Sequence, residues 1–160
     1  MGFRKLIGKR SDARGVTLIE LIVAMAILAI LMSGIMPLSA MTYKRTKEIE
    51  LRRNLRIIRK ALDEYKVAYD KGRFPQEIGA SGYPPTLDSL VEGVETVDPV
   101  PIRMKFLRRI PRDPMTEDGE WGLRSYADEH DSDIWGGQDV YDVHSQSDGE
   151  ALDGTDYRDW

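Results

Sequence analysis

The spacing of apolar residues changes character once along the first half of the chain. From Leu21 to Thr42 no charged residue occurs, and the run is rich in Leu, Ile, Met and Ala. A helix rising about 1.5 Å per residue needs roughly 20 such residues to cross a hydrocarbon core of about 30 Å. This run therefore predicts a lipid-compatible helix. Beyond Thr42 the apolar positions narrow to one stripe, Leu51, Leu55, Ile58, Leu62, Tyr65 and Tyr69, alternating by four and three. Between them stand Arg52, Arg53, Arg56, Arg59, Lys60, Asp63 and Lys66, expected to face water. Together the two patterns predict one helix from about Thr17 to Asp70, ended by Gly72 and Pro75 in "DKGRFP". Gly34 and Pro37 fall inside it, and Pro37 lacks an N–H, so a kink or local melting is expected near residues 33–37.

The remainder predicts short elements. "PPTLDSLVEG" opens with prolines and a Thr86 cap, which places a brief helix at about 87–92. "IRMKFLRRIPRDP" suits a short helix or strand closed by Pro111 and Pro114. "WGLRSYAD" and "QDVYDVHS" alternate apolar and polar residues and read as two strands of a small antiparallel sheet. Such a sheet needs a partner face, and the helix stripe is the sizeable one available. The expected fold class is α+β: a long protruding N-terminal α-helix with a small antiparallel sheet and a C-terminal loop packed on its second half.

Charge changes this picture in two ways. The net charge of −4 over 160 residues conceals an asymmetry: residues 1–110 hold 20 Lys and Arg against 12 Asp and Glu, residues 111–160 hold 3 against 15. A chain with so acidic a half is not expected to bind nucleic acid. Basic residues flank the uncharged run on both sides, so the positive-inside rule leaves its orientation open. A cleaved secretory signal fits poorly, because the run is too long and the glycine of the basic leader comes before it. There is no cysteine, which excludes disulfides and thiolate metal sites. The two histidines stand in polar surroundings and predict no zinc site. No nucleophile triad or phosphate loop is present; the nearest approach to a catalytic cluster, His144 with Asp142 and Asp148, rests on adjacency alone, so no enzyme is expected.

One residue resists the lipid reading. In "RGVTLIELIVAMAILAIL" the carboxylate of Glu20 precedes a run where burial looks unavoidable, and a lone charge in lipid costs several kcal/mol. A basic leader ending in glycine, then an apolar residue, Thr-Leu-Ile and Glu, resembles the type IV pilin and pseudopilin superfamily. The resemblance implies that a prepilin peptidase cuts between Gly15 and Val16 and methylates the new Val16 amine. Glu20 then becomes the fifth residue of the mature chain and Pro37 the twenty-second; Val16 departs from the usual phenylalanine. The implied organisation is a cleaved leader at 1–15, a transmembrane and assembly half-helix at 16–42, and a periplasmic head at 43–160. The leader would stay on the cytoplasmic side of the inner membrane. In a filament, Glu20 of one subunit would pair with the free Val16 amine of another, an assembly role that neutralises both charges.

A narrower resemblance covers the rest. "GRFP", "FLRRIPRDP" (Phe106 to Pro114) and the acidic C-terminus are similar to the major pseudopilin of type II secretion, whose C-terminal loop binds calcium. Carried over, one calcium ion would be held by Asp148 and Asp156, with Asp153, Thr155 and a backbone oxygen of Ser145 completing the set. Calcium takes about 6–8 oxygen ligands, and Gly149 and Gly154 permit the turns such a loop needs. The implied function is a structural subunit of a type II secretion pseudopilus, whose partners are copies of itself, other pseudopilins, the prepilin peptidase and the inner-membrane secretion platform. The alternatives are a type IV pilin of a surface filament and a monomeric, membrane-anchored, calcium-dependent binding module.

Overall fold

A computed structural model describes residues 15–129, 132 and 134–160, with the side chains of 34–38 outside the description. The leader before Gly15, together with His130, Asp131 and Asp133, therefore lies outside the described residues. The described chain gathers into two compact units, one reaching Met41 and one spanning Thr42–Trp160.

Helix α1 spans Leu18–Asp70, 53 residues, and contributes to both units. Its backbone is assigned helical from Leu18 through Gly34 and Pro37 to Asp70. From Leu18 to Met32 every apolar side chain of bulk is exposed, on all sides of the helix, as expected of a segment whose burial must come from outside its own chain. Its C-terminus follows the glycine rule. Gly72 has φ of 68°, its N–H donates to Tyr69 O at 2.8 Å, and Arg73 N–H donates to Ala68 O at 3.1 Å. These two bonds satisfy end carbonyls in a Schellman arrangement that a side chain with Cβ would strain.

In the Thr42–Trp160 unit the stripe is the core. Leu51 and Ile58 are fully buried, with Leu55, Leu62 and Tyr65 nearly so. Against them pack Phe74, Leu90, Trp121, Val140, Val143, Ala151 and Tyr157. Tyr65, Phe74 and Phe106 form a ring cluster with centroids 5.2–6.0 Å apart. Helix α2 is short, Asp88–Glu92, and its Leu90 is buried; the Thr86 hydroxyl accepts from Ser89 N–H at 3.4 Å just before it. Leu90 O accepts from both Phe106 N–H and Leu107 N–H at 2.9 Å, which ties "FLRRIP" to the helix.

Among the described residues the strands form two separate antiparallel pairs. Strands β1 (Val94–Glu95) and β2 (Arg103–Met104) make one; β3 (Trp121–Arg124) and β4 (Asp142–Ser145) make the other. The second pair lies within the two alternating segments, in the register Trp121 to Ser145 through Arg124 to Asp142. Gly122 faces His144, whose imidazole occupies the space a Cβ would fill, 2.2 Å from Nε2. A two-stranded ladder is marginal alone; here its inner residues Trp121 and Val143 join the α1 core. A terminal 3-10 turn, Tyr157–Asp159, closes the chain.

The "RIPRDP" segment has a mechanical role. Asp113 is 2% exposed, and its carboxylate accepts from the Ser145 hydroxyl at 2.6 Å and from Met115 N–H at 2.8 Å. Trp121 Nε1–H donates to Pro111 O at 2.7 Å beside it. Asp113→Ala leaves a buried hydroxyl and amide without their acceptor, which costs about 2–3 kcal/mol. The expected result is a lower urea midpoint for the full chain in detergent; an unchanged midpoint would show that the carboxylate carries no structural burden.

Candidate functional site

The start of α1 is built by Thr17. Its hydroxyl accepts from Glu20 N–H at 3.3 Å, and its carbonyl accepts from Leu21 N–H at 3.1 Å. Thr-x-x-Glu is the sequence form of a capping box, a signal that the pattern reading passed over. Glu20 lies in the first turn, where the helix dipole favours a carboxylate. Its side chain is exposed. Among the described residues an added Cβ at Gly15 would meet nothing within 4 Å, and its φ is not positive, so their packing makes no demand for glycine there. Any such demand comes from another molecule reading the site.

At the other end of the chain, the segment from Asp142 to Trp160 is drawn onto α1 by groups the helical pattern assigned to water. The Arg59 guanidinium binds Asp142 twice, at 2.7 and 3.1 Å, and also reaches Val143 O at 3.2 Å and Trp160 O at 2.6 Å. Arg52 binds Asp153 at 3.1 Å and lies 3.9 Å from the Trp160 ring centroid. The third contact from α1 is Glu48, nearly buried, whose Oε1 accepts from Leu152 N–H at 2.8 Å and from the Tyr157 hydroxyl at 3.0 Å. The apolar stripe does not reveal these three residues, because each acts through a long polar side chain that snorkels over the stripe.

Burial, together with the hydrogen bond to Glu48 and its charge, pushes the Tyr157 phenol up to about 12. The folded pKa lies above the ordinary value near 10, so this contact stabilises fully below about pH 10 and is lost as pH rises toward 12. Alkaline unfolding is therefore expected within that window, and Tyr157→Phe removes its phenolate component from the ultraviolet titration. A Tyr157→Phe titration identical to that of the parent chain would contradict the contact.

The five residues expected to hold calcium are placed as follows. The Ser145 side chain is fully buried and donates to Asp113. Asp148 pairs with Arg158 at 2.5 Å. Asp153 accepts from Thr155 N–H and its hydroxyl through one oxygen and from Arg52 through the other. These bonds hold the Asp153 carboxyl below the usual range, the Thr155 hydroxyl first among the causes. The Thr155 hydroxyl in turn accepts from Trp160 Nε1–H at 2.8 Å. Asp156 opens the terminal turn without a side-chain cap bond and bridges to Glu150 through its backbone. Among the described residues no three His, Cys, Asp or Glu side chains converge to hold a metal ion. A calcium shell needs about six oxygens within 2.6 Å. In the arrangement present, both Asp153 oxygens, one Asp148 oxygen and the Thr155 hydroxyl are engaged by protein groups.

Two loop carboxylates have structural work of their own. Asp128 accepts from Ser125 N–H at 2.7 Å and Gly136 N–H at 3.0 Å, and these bonds lower its pKa. Asp139, nearly buried, accepts from Tyr126 N–H at 2.8 Å.

Residues 10–36 match the family model of the prokaryotic N-terminal methylation motif. The match supports a type IV pilin-like protein, processed by a prepilin peptidase and assembled into a pilus-type polymer; it indicates a structural subunit with a membrane-anchored N-terminus. No curated protein and no solved structure matches the chain. Among the described residues no helix is long and apolar enough to cross a membrane; the uncharged run from Leu21 to Thr42 includes residues 34–38, whose side chains lie outside the description.

Proposed function

We propose that the chain is a subunit of a type II secretion pseudopilus, cut after Gly15, methylated at Val16, and polymerised through the apolar part of α1 to drive folded proteins across the outer membrane. The observation that carries the reading is the methylation motif at 10–36, joined to a helix start that leaves apolar surface exposed on every side. That surface needs lipid before assembly and neighbouring helices after it. The first unit, ending at Met41, would be the anchor and assembly segment, and Thr42–Trp160 the periplasmic unit. Glu20 would meet the Val16 amine of an adjacent subunit.

Secretion, rather than a surface fibre, is favoured by how "RIPRDP" is used. Its Asp113 organises β4 and the start of the C-terminal loop without any disulfide. Deleting the chain's gene from its native cell is expected to leave exported proteins folded in the periplasm, and re-expression is expected to restore their release. Normal release with lost adhesion or surface motility would instead assign the chain to a surface pilus.

A further inference from the structure

The C-terminal loop carries more order than its charge predicts. Between Gln138 and Trp160 stand Asp139, Asp142, Asp148, Glu150, Asp153, Asp156 and Asp159, against a single basic residue, Arg158. Packed together without counter-charge, these carboxylates would repel one another and open the loop. The resemblance to calcium-binding pseudopilins implies a divalent cation as the remedy; here both Asp153 oxygens, one Asp148 oxygen and the Thr155 hydroxyl are engaged by the protein itself.

We infer that guanidinium groups take the structural place of that cation, so that the loop closes without calcium. The three arginines involved approach from different directions. Arg158 comes from within the loop and neutralises Asp148. Arg52 comes from α1, holds Asp153, and stacks on Trp160. Arg59, two turns further along α1, grips Asp142 with two bonds and fixes the Val143 and Trp160 carbonyls with the same group. Trp160 is thereby held at its ring face by Arg52, at its indole N–H by Thr155, at its carbonyl by Arg59, and by a T-shaped contact with the Tyr157 ring, with centroids 5.3 Å apart.

A planar fork with five donors suits this work better than a point charge, because it satisfies carboxylates and carbonyls at once. For calcium to take the whole of both carboxylates, it would have to displace Arg158 from Asp148 and Arg52 from Asp153. Two consequences separate an arginine clamp from a metal site. Half-exposed ion pairs are screened by salt, whereas directly coordinated calcium depends on the free ion and is removed by a chelator. The clamp also runs through α1, so helix variants report on the loop.

The test uses the full chain in detergent micelles, with limited proteolysis of the C-terminal segment and the thermal midpoint as readouts. Calcium chloride and chelator are expected to give the same midpoint and the same cleavage rate. Arg52→Gln combined with Arg158→Gln is expected to speed C-terminal cleavage about tenfold, with no rescue by calcium, while raised salt speeds cleavage of the parent chain. Arg53→Gln, on the same helix without a contact to the loop, serves as the control. A midpoint raised by calcium and insensitive in Asp148→Ala would overturn the inference and restore the metal site. Arginine variants cleaved at the parental rate would overturn it equally, whatever the response to calcium.

Discussion

Glu20→Ala is expected to give a chain that is made, processed and inserted normally, yet fails to polymerise. Removing one partner of a buried ion pair costs about 3–5 kcal/mol, because the other charge stays desolvated and alone. At about 1.4 kcal/mol per factor of ten, the concentration needed for assembly rises by roughly two orders of magnitude or more. Glu20→Gln keeps hydrogen-bonding capacity and should fall between. The competing role for this residue is local: Glu20 lies in the first turn of α1, where a carboxylate favours the dipole by only about 0.3–1 kcal/mol. Thr17→Val separates the two, since it removes the hydroxyl that accepts from Glu20 N–H but leaves the carboxylate. Filament yield in cells, read by shearing or cross-linking, should collapse for Glu20→Ala and decline only slightly for Thr17→Val. Equal, mild losses in both would reduce Glu20 to a helix-capping residue.

The second large effect lies in the core. Ile58 is fully buried midway along the stripe, and Leu51 is its fully buried counterpart two turns earlier. Ile58→Ala deletes side-chain atoms from a packed interior and leaves a cavity, at a cost of about 2–5 kcal/mol. For a unit of this size, total stability is about 5–15 kcal/mol. The substitution should therefore consume a large share of it, seen as a marked fall in the urea midpoint of the full chain in detergent. Ile57→Ala, one position round the helix and 39% exposed, should cost far less. Equal effects at the two positions would contradict the one-sided packing of α1.

The difference between those neighbours was readable in the sequence, because periodicity reports which face of a helix is covered. The C-terminal end of α1, the short α2 and the strand pair β3–β4 were legible for the same local reasons: glycines, caps and alternation. What pattern could not convey were contacts made by long polar side chains across great sequence separation. Arg52 and Arg59 have the spacing of solvated residues, yet Arg52 reaches Asp153 and Arg59 reaches Asp142 and Trp160. Glu48 likewise reads as a surface charge and is nearly buried against Tyr157. Asp128 stands in a polar segment with no pattern of its own, yet two backbone N–H groups make it a loop anchor. The helix arginines that meet the acidic C-terminus are likewise invisible to a local count of its charge.

At the N-terminus, sequence and structure bear on different questions. The sequence supplies the motif; the structure adds that no described residue packs where a Gly15 Cβ would stand and that the helix begins two residues after Val16. Such a glycine is expected to matter to a peptidase and not to the fold. The most direct test is mass spectrometry of the amino-terminal peptide of the chain purified from membranes of its native cell. The account predicts a peptide that begins at Val16 and carries one methyl group on its amine. A chain still beginning at Met1, or cut elsewhere with an unmodified amine, would contradict it.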